Sequence, residues 1–199
     1  MKKKANARIV AKYIFLAATI VICVGLCVGS LLPGETSAAT SDNFGGAVEG
    51  VLDDIGVSTG DVMDGTGFTD WQLFVRKLFG HFGAFMFLGA VTSVTFMLFS
   101  KDSTRSRLAA FGMAAVFGFS FACLTELLQT DLFTTGRGAS FDDVITDCRG
   151  YFITCLLFFA VWFAAIILKH VAAKRRYGAL LSSAAADEYE RDPSDQDKA

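Results

Sequence analysis

Four apolar stretches, at residues 13–32, 78–99, 108–128 and 151–168, approach the roughly twenty residues that a helix needs to cross a hydrocarbon core. A backbone in lipid has no water to bond with, so such stretches fold as helices. In a chain of 199 residues they leave no room for a separate soluble domain. The composition agrees, since 53% of residues are hydrophobic and 20 are phenylalanine, a surplus suited to lipid-facing surfaces. The expected fold is all-α: a polytopic membrane protein of four transmembrane helices, with a short amphipathic helix in the first extracytoplasmic loop. The expected organisation is a basic N-terminus over 1–12, a membrane domain over 13–170 and a largely disordered cytoplasmic tail over 171–199.

The basic residues set the expected orientation. Lys2, Lys3, Lys4, Arg8 and Lys12 precede the first span, Lys101, Arg105 and Arg107 fill the loop between the second and third, and Lys169, Lys174, Arg175 and Arg176 follow the fourth. Residues 33–72 carry no Lys or Arg and eight acids, among them Glu35, Glu49, Asp53 and Asp64. Both termini are therefore expected in the cytoplasm. The basic start and Ser37-Ala38-Ala39 resemble a cleavable signal, but an apolar stretch this long favours a retained helix.

Within the outer loop, Phe44, Val48, Val51, Leu52 and Ile55 recur at helical spacing, which fits a helix on the membrane surface or one packed over the bundle mouth. The second span is expected to start at a Thr69 cap with Gln72 closing the box, beside an interfacial Trp71. Ser140 with Asp143 reads as the equivalent start of the fourth helix, and a disordered tail is expected from Ser182 onward.

Ionisable groups beside the hydrocarbon region are costly, by about 2.5–3.5 kcal/mol for a central Asp, Lys or Arg, and are usually kept for a site. Glu126 and Gln129 end the third span, and Arg137, Asp143 and Asp147 follow closely. Steps of four place Lys77, His81, Gly89 and Ser93 on one helix face, with Arg76 beside it. The stripe Ala110, Ala114, Gly118, Ala122 and Glu126 lets helices approach closely and turns Glu126 inward. The candidate ligand-binding residues are thus Arg76, Lys77, His81, Glu126, Gln129, Arg137, Asp143 and Asp147. The two arginines and Lys77 suit a phosphate or carboxylate, and Glu126 with His81 is the candidate acid/base pair.

Each has a plainer reading. Asp142 and Asp143 favour a helix N-terminus, Arg76 and Lys77 snorkel, His81 packs, and Glu126 forms a salt bridge to Arg137 or Lys77 that closes the bundle mouth. The five cysteines show no zinc spacing and read as packing residues, with Cys148 the one candidate for reactivity. With only two histidines, no metal site and no cofactor are expected.

Four segments, taken in order, resemble the VanZ-like family of small bacterial membrane proteins. They are Leu32-Pro33-Gly34-Glu35-Thr36-Ser37 with Ser41; Val75-Arg76-Lys77-Leu78 with His81-Phe82 and Leu88-Gly89; Glu126-Leu127-Leu128-Gln129; and Gly136-Arg137 with Asp143-Val144, Asp147 and Gly150. Departures are Thr125 where aspartate is common, glycines at 80 and 83, and Arg149 and Tyr151 around Gly150, where small residues are expected. The last pair puts the close packing of the fourth helix start in question.

The resemblance implies a bacterial cell-membrane protein associated with altered sensitivity to teicoplanin and lipoglycopeptides. It implies no settled activity. Three readings follow: a factor that binds a membrane lipid or lipid-linked envelope precursor at its outer face; an intramembrane enzyme using Glu126 and His81; and a structural subunit of a membrane complex. No nucleic-acid partner is expected, and a homo-oligomer or another membrane partner is left open.

Overall fold

The computed structural model describes residues 2–190, with side chains over 6–183. The elements are α1 (Lys2–Leu31), α2 (Gly34–Asp54), α3 (Thr59–Met63), α4 (Trp71–Val75), a π-helical segment (Arg76–Gly83), α5 (Ala84–Phe99), α6 (Thr104–Leu128) and α7 (Phe141–Glu190), with no strand among the described residues. Four stretches are long and apolar enough to span a membrane: Asn6–Leu31, Trp71–Phe99, Thr104–Leu128 and Phe141–Ser183. Their outward side chains, such as Val21, Val116 and Leu156, are apolar and largely exposed, the surface a hydrocarbon solvent would cover. The all-α, four-span architecture is therefore as the sequence leads one to expect.

The chain divides into two compact units, Met1–Phe158 and Phe159–Ala199. In the second, α7 continues as a helix in which Phe159 stacks on Phe163. This helix runs through Glu190, beyond Ser182, where disorder is expected from the sequence to begin. The rest of that expected tail, 191–199, lies outside the described residues.

In the first unit α1 packs against α5 and α6. The core is Phe85, Leu88, Phe121, Ala122, Tyr151 and Cys155, with Ile22, Cys23, Leu26 and Cys27 of α1 packed against it. Van der Waals fit holds helices together in lipid, so small residues at the contacts matter most. Ala110, Ala114 and Ala122 of the α6 stripe are fully buried. Gly118 completes the stripe and supplies a slot for the Tyr151 ring, which a Cβ at 118 would overlap. Tyr151 donates to Ala114 O at 2.8 Å and pairs with Thr92 Oγ1 at 2.7 Å. The bulky residue that seemed to threaten the fourth helix start is thus its anchor. Close approach survives at Gly150, where a Cβ would meet the Phe82 carbonyl.

The two ends of the unit differ. At one end Asp102 receives hydrogen bonds from Arg8 and Arg107, both at 2.9 Å, and these hold its exposed carboxyl below the ordinary range. At the other, the 129–140 loop closes over the end of α1: Gly34 N–H donates to Thr135 O at 3.0 Å and Thr134 Oγ1 to Leu31 O at 3.3 Å. The elements α2–α4 belong to this second end.

The loop helix is longer than its apolar period suggests. It begins at Gly34, directly after Pro33, because Ser, Thr and Ala between 36 and 41 continue the helix, with Thr40 and Ser41 bonding back to Thr36 and Ser37 carbonyls. Trp71 Nε1 donates to Gly45 O at 3.1 Å, so Trp71 clamps α2 to the start of the second span. Phe44 and Val51 of α2, and Ile55 just past its end, remain exposed.

The start of the second span also shifts by one residue. Asp70, not Thr69, caps it, because its carboxylate reaches the free N–H groups of Gln72 and Leu73.

Candidate functional site

The π-helical segment sets the first edge of the site. Its widened turn is marked by the bond from Ala84 N–H to Phe79 O, five residues back. That step brings residues five apart onto one side, which aligns Arg76 with His81. A reading at α-helical pitch leaves Arg76 beside the face. In the structure both side chains line one cavity of about 220 Å³.

The end of α6 supplies the second edge. Glu126 lies on the buried stripe, and both its oxygens are used: Gln129 Nε2 donates to Oε1 at 3.2 Å and Ser140 N–H to Oε2 at 3.0 Å. The second bond ties the start of α7 to the end of α6. Ser140 occupies the helix-start position that the sequence indicates, directly before Phe141, with its backbone N–H held by Glu126 and its carbonyl accepting from the N–H groups of Asp143 and Val144.

The first turns of α7 supply the third edge. Asp143 and Asp147, four residues apart, share the face toward the π-helical segment. His81 Nδ1 lies 3.0 Å from Asp147 Oδ1, and His81 Nε2 lies 4.0 Å from Asp143 Oδ2. Lys77 Nζ stands 2.8 Å from Asp143 Oδ1, an ion pair by distance whose angle falls short of a hydrogen bond. His81, Glu126 and Asp147 are all buried, Asp147 at 1% exposure. Asp147 Oδ2 has no hydrogen-bond partner.

Arg137 arrives from the 129–140 loop and donates from Nη1 to Gly29 O at 2.9 Å. Burial, and then the neighbouring positive charge of Arg76, make its guanidinium a weaker base than usual, though it stays protonated. Among the described residues neither arginine forms an ion pair, and Arg76 Nε is buried without a hydrogen-bond partner. Two like charges in one cavity, with spare donors, suit a phosphate or carboxylate chemically.

The sequence-derived residues thus converge, with changed partners. Arg76, His81, Gln129, Arg137 and Asp147 line the main cavity, and Asp143 lines an adjoining one of about 160 Å³. Lys77 and Glu126 line neither, and act through Asp143, Gln129 and Ser140. The expected salt bridge from Glu126 to Arg137 or Lys77 does not form, because Lys77 is taken by Asp143 and Arg137 by the end of α1. The direct partner of His81 is Asp147, not Glu126. Arg76 is half-buried and lines the cavity, with its Nε enclosed.

Ser37, Thr40 and Ser41 of α2, and Gly25 and Gly29 of α1, complete the main cavity wall. The sequence alone does not assign them to the site. The four-residue steps from Gly25 to Gly29 and Ser37 to Ser41 are the signals it offers.

A family model described as VanZ/LLP1 matches residues 15–166. No curated protein and no solved structure gives a match.

Proposed function

The chain belongs to the VanZ/LLP1 family, and we propose that it binds the anionic headgroup of a lipid or lipid-linked envelope component in the Arg76–Arg137 cavity, thereby modulating glycopeptide susceptibility. In this reading the acid-rich loop end faces outward from a bacterial cell membrane and both termini are cytoplasmic, as the distribution of lysine and arginine favours. The supporting observation is the pair of arginines turned into one cavity without a carboxylate partner. Ser37 and the second N–H of the Gln129 amide add donors, while the Thr40 and Ser41 hydroxyls are already spent on α2 carbonyls. A phosphate or carboxylate would take bidentate hydrogen bonds there, while acyl chains stay in the surrounding lipid.

Replacing both Arg76 and Arg137 by alanine should remove two charge-assisted contacts of about 1.5–3 kcal/mol each, so bound anionic lipid should fall at least tenfold. Native mass spectrometry of the detergent-purified chain measures this directly. Unchanged lipid occupancy in a well-folded double variant would refute the reading. In cells, deletion or overexpression should shift teicoplanin susceptibility and spare vancomycin.

The His81–Asp147 pair at the same cavity favours a second reading, an intramembrane enzyme acting on a lipid or envelope polymer with Glu126 and His81 as acid and base. Glu126→Gln keeps the shape and an acceptor for Ser140 N–H. Lipid binding should therefore survive within about threefold, a change of under 1 kcal/mol. A lipid product that disappears in Glu126→Gln cells, with protein level unchanged, would instead favour catalysis.

A further inference from the structure

We infer that His81, Glu126 and Asp147 form a divalent-metal site, of the zinc or manganese class, beside the two arginines. The site borders the cavity of the proposed function, which His81 and Asp147 line and Glu126 backs from behind Gln129, and it does not require an anion to occupy that cavity.

Three separate elements deliver one donor each: the π-helical segment, the end of α6 and the start of α7. One ligand atom from each residue lies within 4.8 Å of the other two, and all three residues are buried. Carboxylates gathered in a protein interior repel one another and lose hydration, so something must offset them. Lys77 serves Asp143. Among the described residues Glu126 has no cationic partner within 4.0 Å, and Asp147 has His81 alone.

The second observation is independent of that clustering. Asp147 is 1% exposed, its Oδ1 meets His81, and its Oδ2 has no hydrogen-bond partner. A buried carboxylate oxygen with an unused lone pair is what a metal ion would complete.

The donor chemistry narrows the ion. One imidazole and two carboxylates fit zinc or manganese better than magnesium or calcium, which favour all-oxygen shells, and no thiolate belongs to the set. Zinc bound at about 2.0–2.2 Å would draw neighbouring donors to about 3.3 Å apart. The widest donor separation, up to 4.8 Å, therefore has to close by about 1.5 Å, shared between two side chains.

Glu126 is already oriented by Gln129 and Ser140, the kind of outer support that metal ligands carry. Three protein donors leave a coordination position open. His81 and Asp147 line the cavity that Arg76 and Arg137 also line, so an ion held there would border the space between the two arginines. Counting only histidine and cysteine in the sequence misses a site built mainly from carboxylates.

The test uses the full chain in lipid nanodiscs, purified through a histidine-free tag, stripped with EDTA, incubated with Zn²⁺ and desalted. Elemental analysis should find about one zinc per chain. In folded Asp147→Asn and His81→Gln the content should fall at least tenfold. The Arg76→Ala/Arg137→Ala chain should keep its zinc, which separates this inference from the anion reading.

Cobalt loading of the wild-type chain should give visible absorption without a thiolate charge-transfer band. Wild-type zinc below about one tenth per chain would overturn the proposal. So would full retention in Asp147→Asn, or a thiolate band showing that the cysteines hold the metal.

Discussion

Gly118→Ala should destabilise this protein, although the same change in an unconstrained helix stabilises it by roughly 0.5–1 kcal/mol. The sign is the test. A Cβ at 118 would fall within the Tyr151 ring, and Tyr151 is completely buried with its hydroxyl held by Ala114 O and Thr92. Overpacking costs about 1–3 kcal/mol, and losing the two hydrogen bonds adds about 1 kcal/mol each.

For a chain of this size the melting temperature should fall by about 6–20 °C, and Gly118→Leu should not yield a monodisperse species in mild detergent. Tyr151→Ala restores the space, so adding it to Gly118→Ala should cost less than the sum of the single changes. Additive effects, or a stabilised Gly118→Ala, would mean that α6 and α7 do not meet there. The effect also reaches the site, because Tyr151 lies one helical turn beyond Asp147.

The second large effect is expected at Asp147. Asp147→Ala removes the direct partner of His81 and leaves a buried imidazole facing Asp143 at 4.0 Å. Breaking one side of a buried pair costs about 3–5 kcal/mol, because the remaining group keeps its desolvation without compensation. That corresponds to a melting temperature lower by about 6–20 °C.

Asp147→Asn keeps an acceptor of the same shape and should recover most of the stability, while losing the charge on which metal binding depends. Asp143→Ala should cost less, because its partner Lys77 is partly exposed and can turn toward water. Equal losses for Asp143→Ala and Asp147→Ala, by thermal unfolding in detergent, would show that burial of the histidine pair does not set the cost.

The spans are legible in the sequence because length and hydropathy constrain a chain in lipid very strongly. Lys77 with His81, and Asp143 with Asp147, are legible because steps of four mark one face of a regular helix. What is not legible has physical causes. His81 and Asp147 are 66 residues apart, and their meeting depends on how two helices are rotated and how deeply each sits.

Arg76 joins the cavity through a widened turn that no 3.6-residue period reveals. Gly118 reads as one member of a small-residue stripe and Tyr151 as a residue too large for its place, until the packing shows that they are complementary. The Ser- and Thr-rich start of α2 reads as loop, so Ser37, Thr40 and Ser41 escape notice as cavity residues.

The convergence of ionisable groups is open to direct observation because the chain has only two histidines, His81 and His170. Solid-state NMR of the chain in bilayers, labelled with ¹⁵N-histidine and ¹³C-aspartate, with His170 replaced for assignment, reads the surroundings of His81. The expected result is a through-space cross-peak from the His81 ring nitrogen to an aspartate carboxyl carbon that shifts in Asp147→Asn. A His81 ring that correlates only with water or acyl chains, with no carboxyl cross-peak in the folded protein, would contradict the shared cavity.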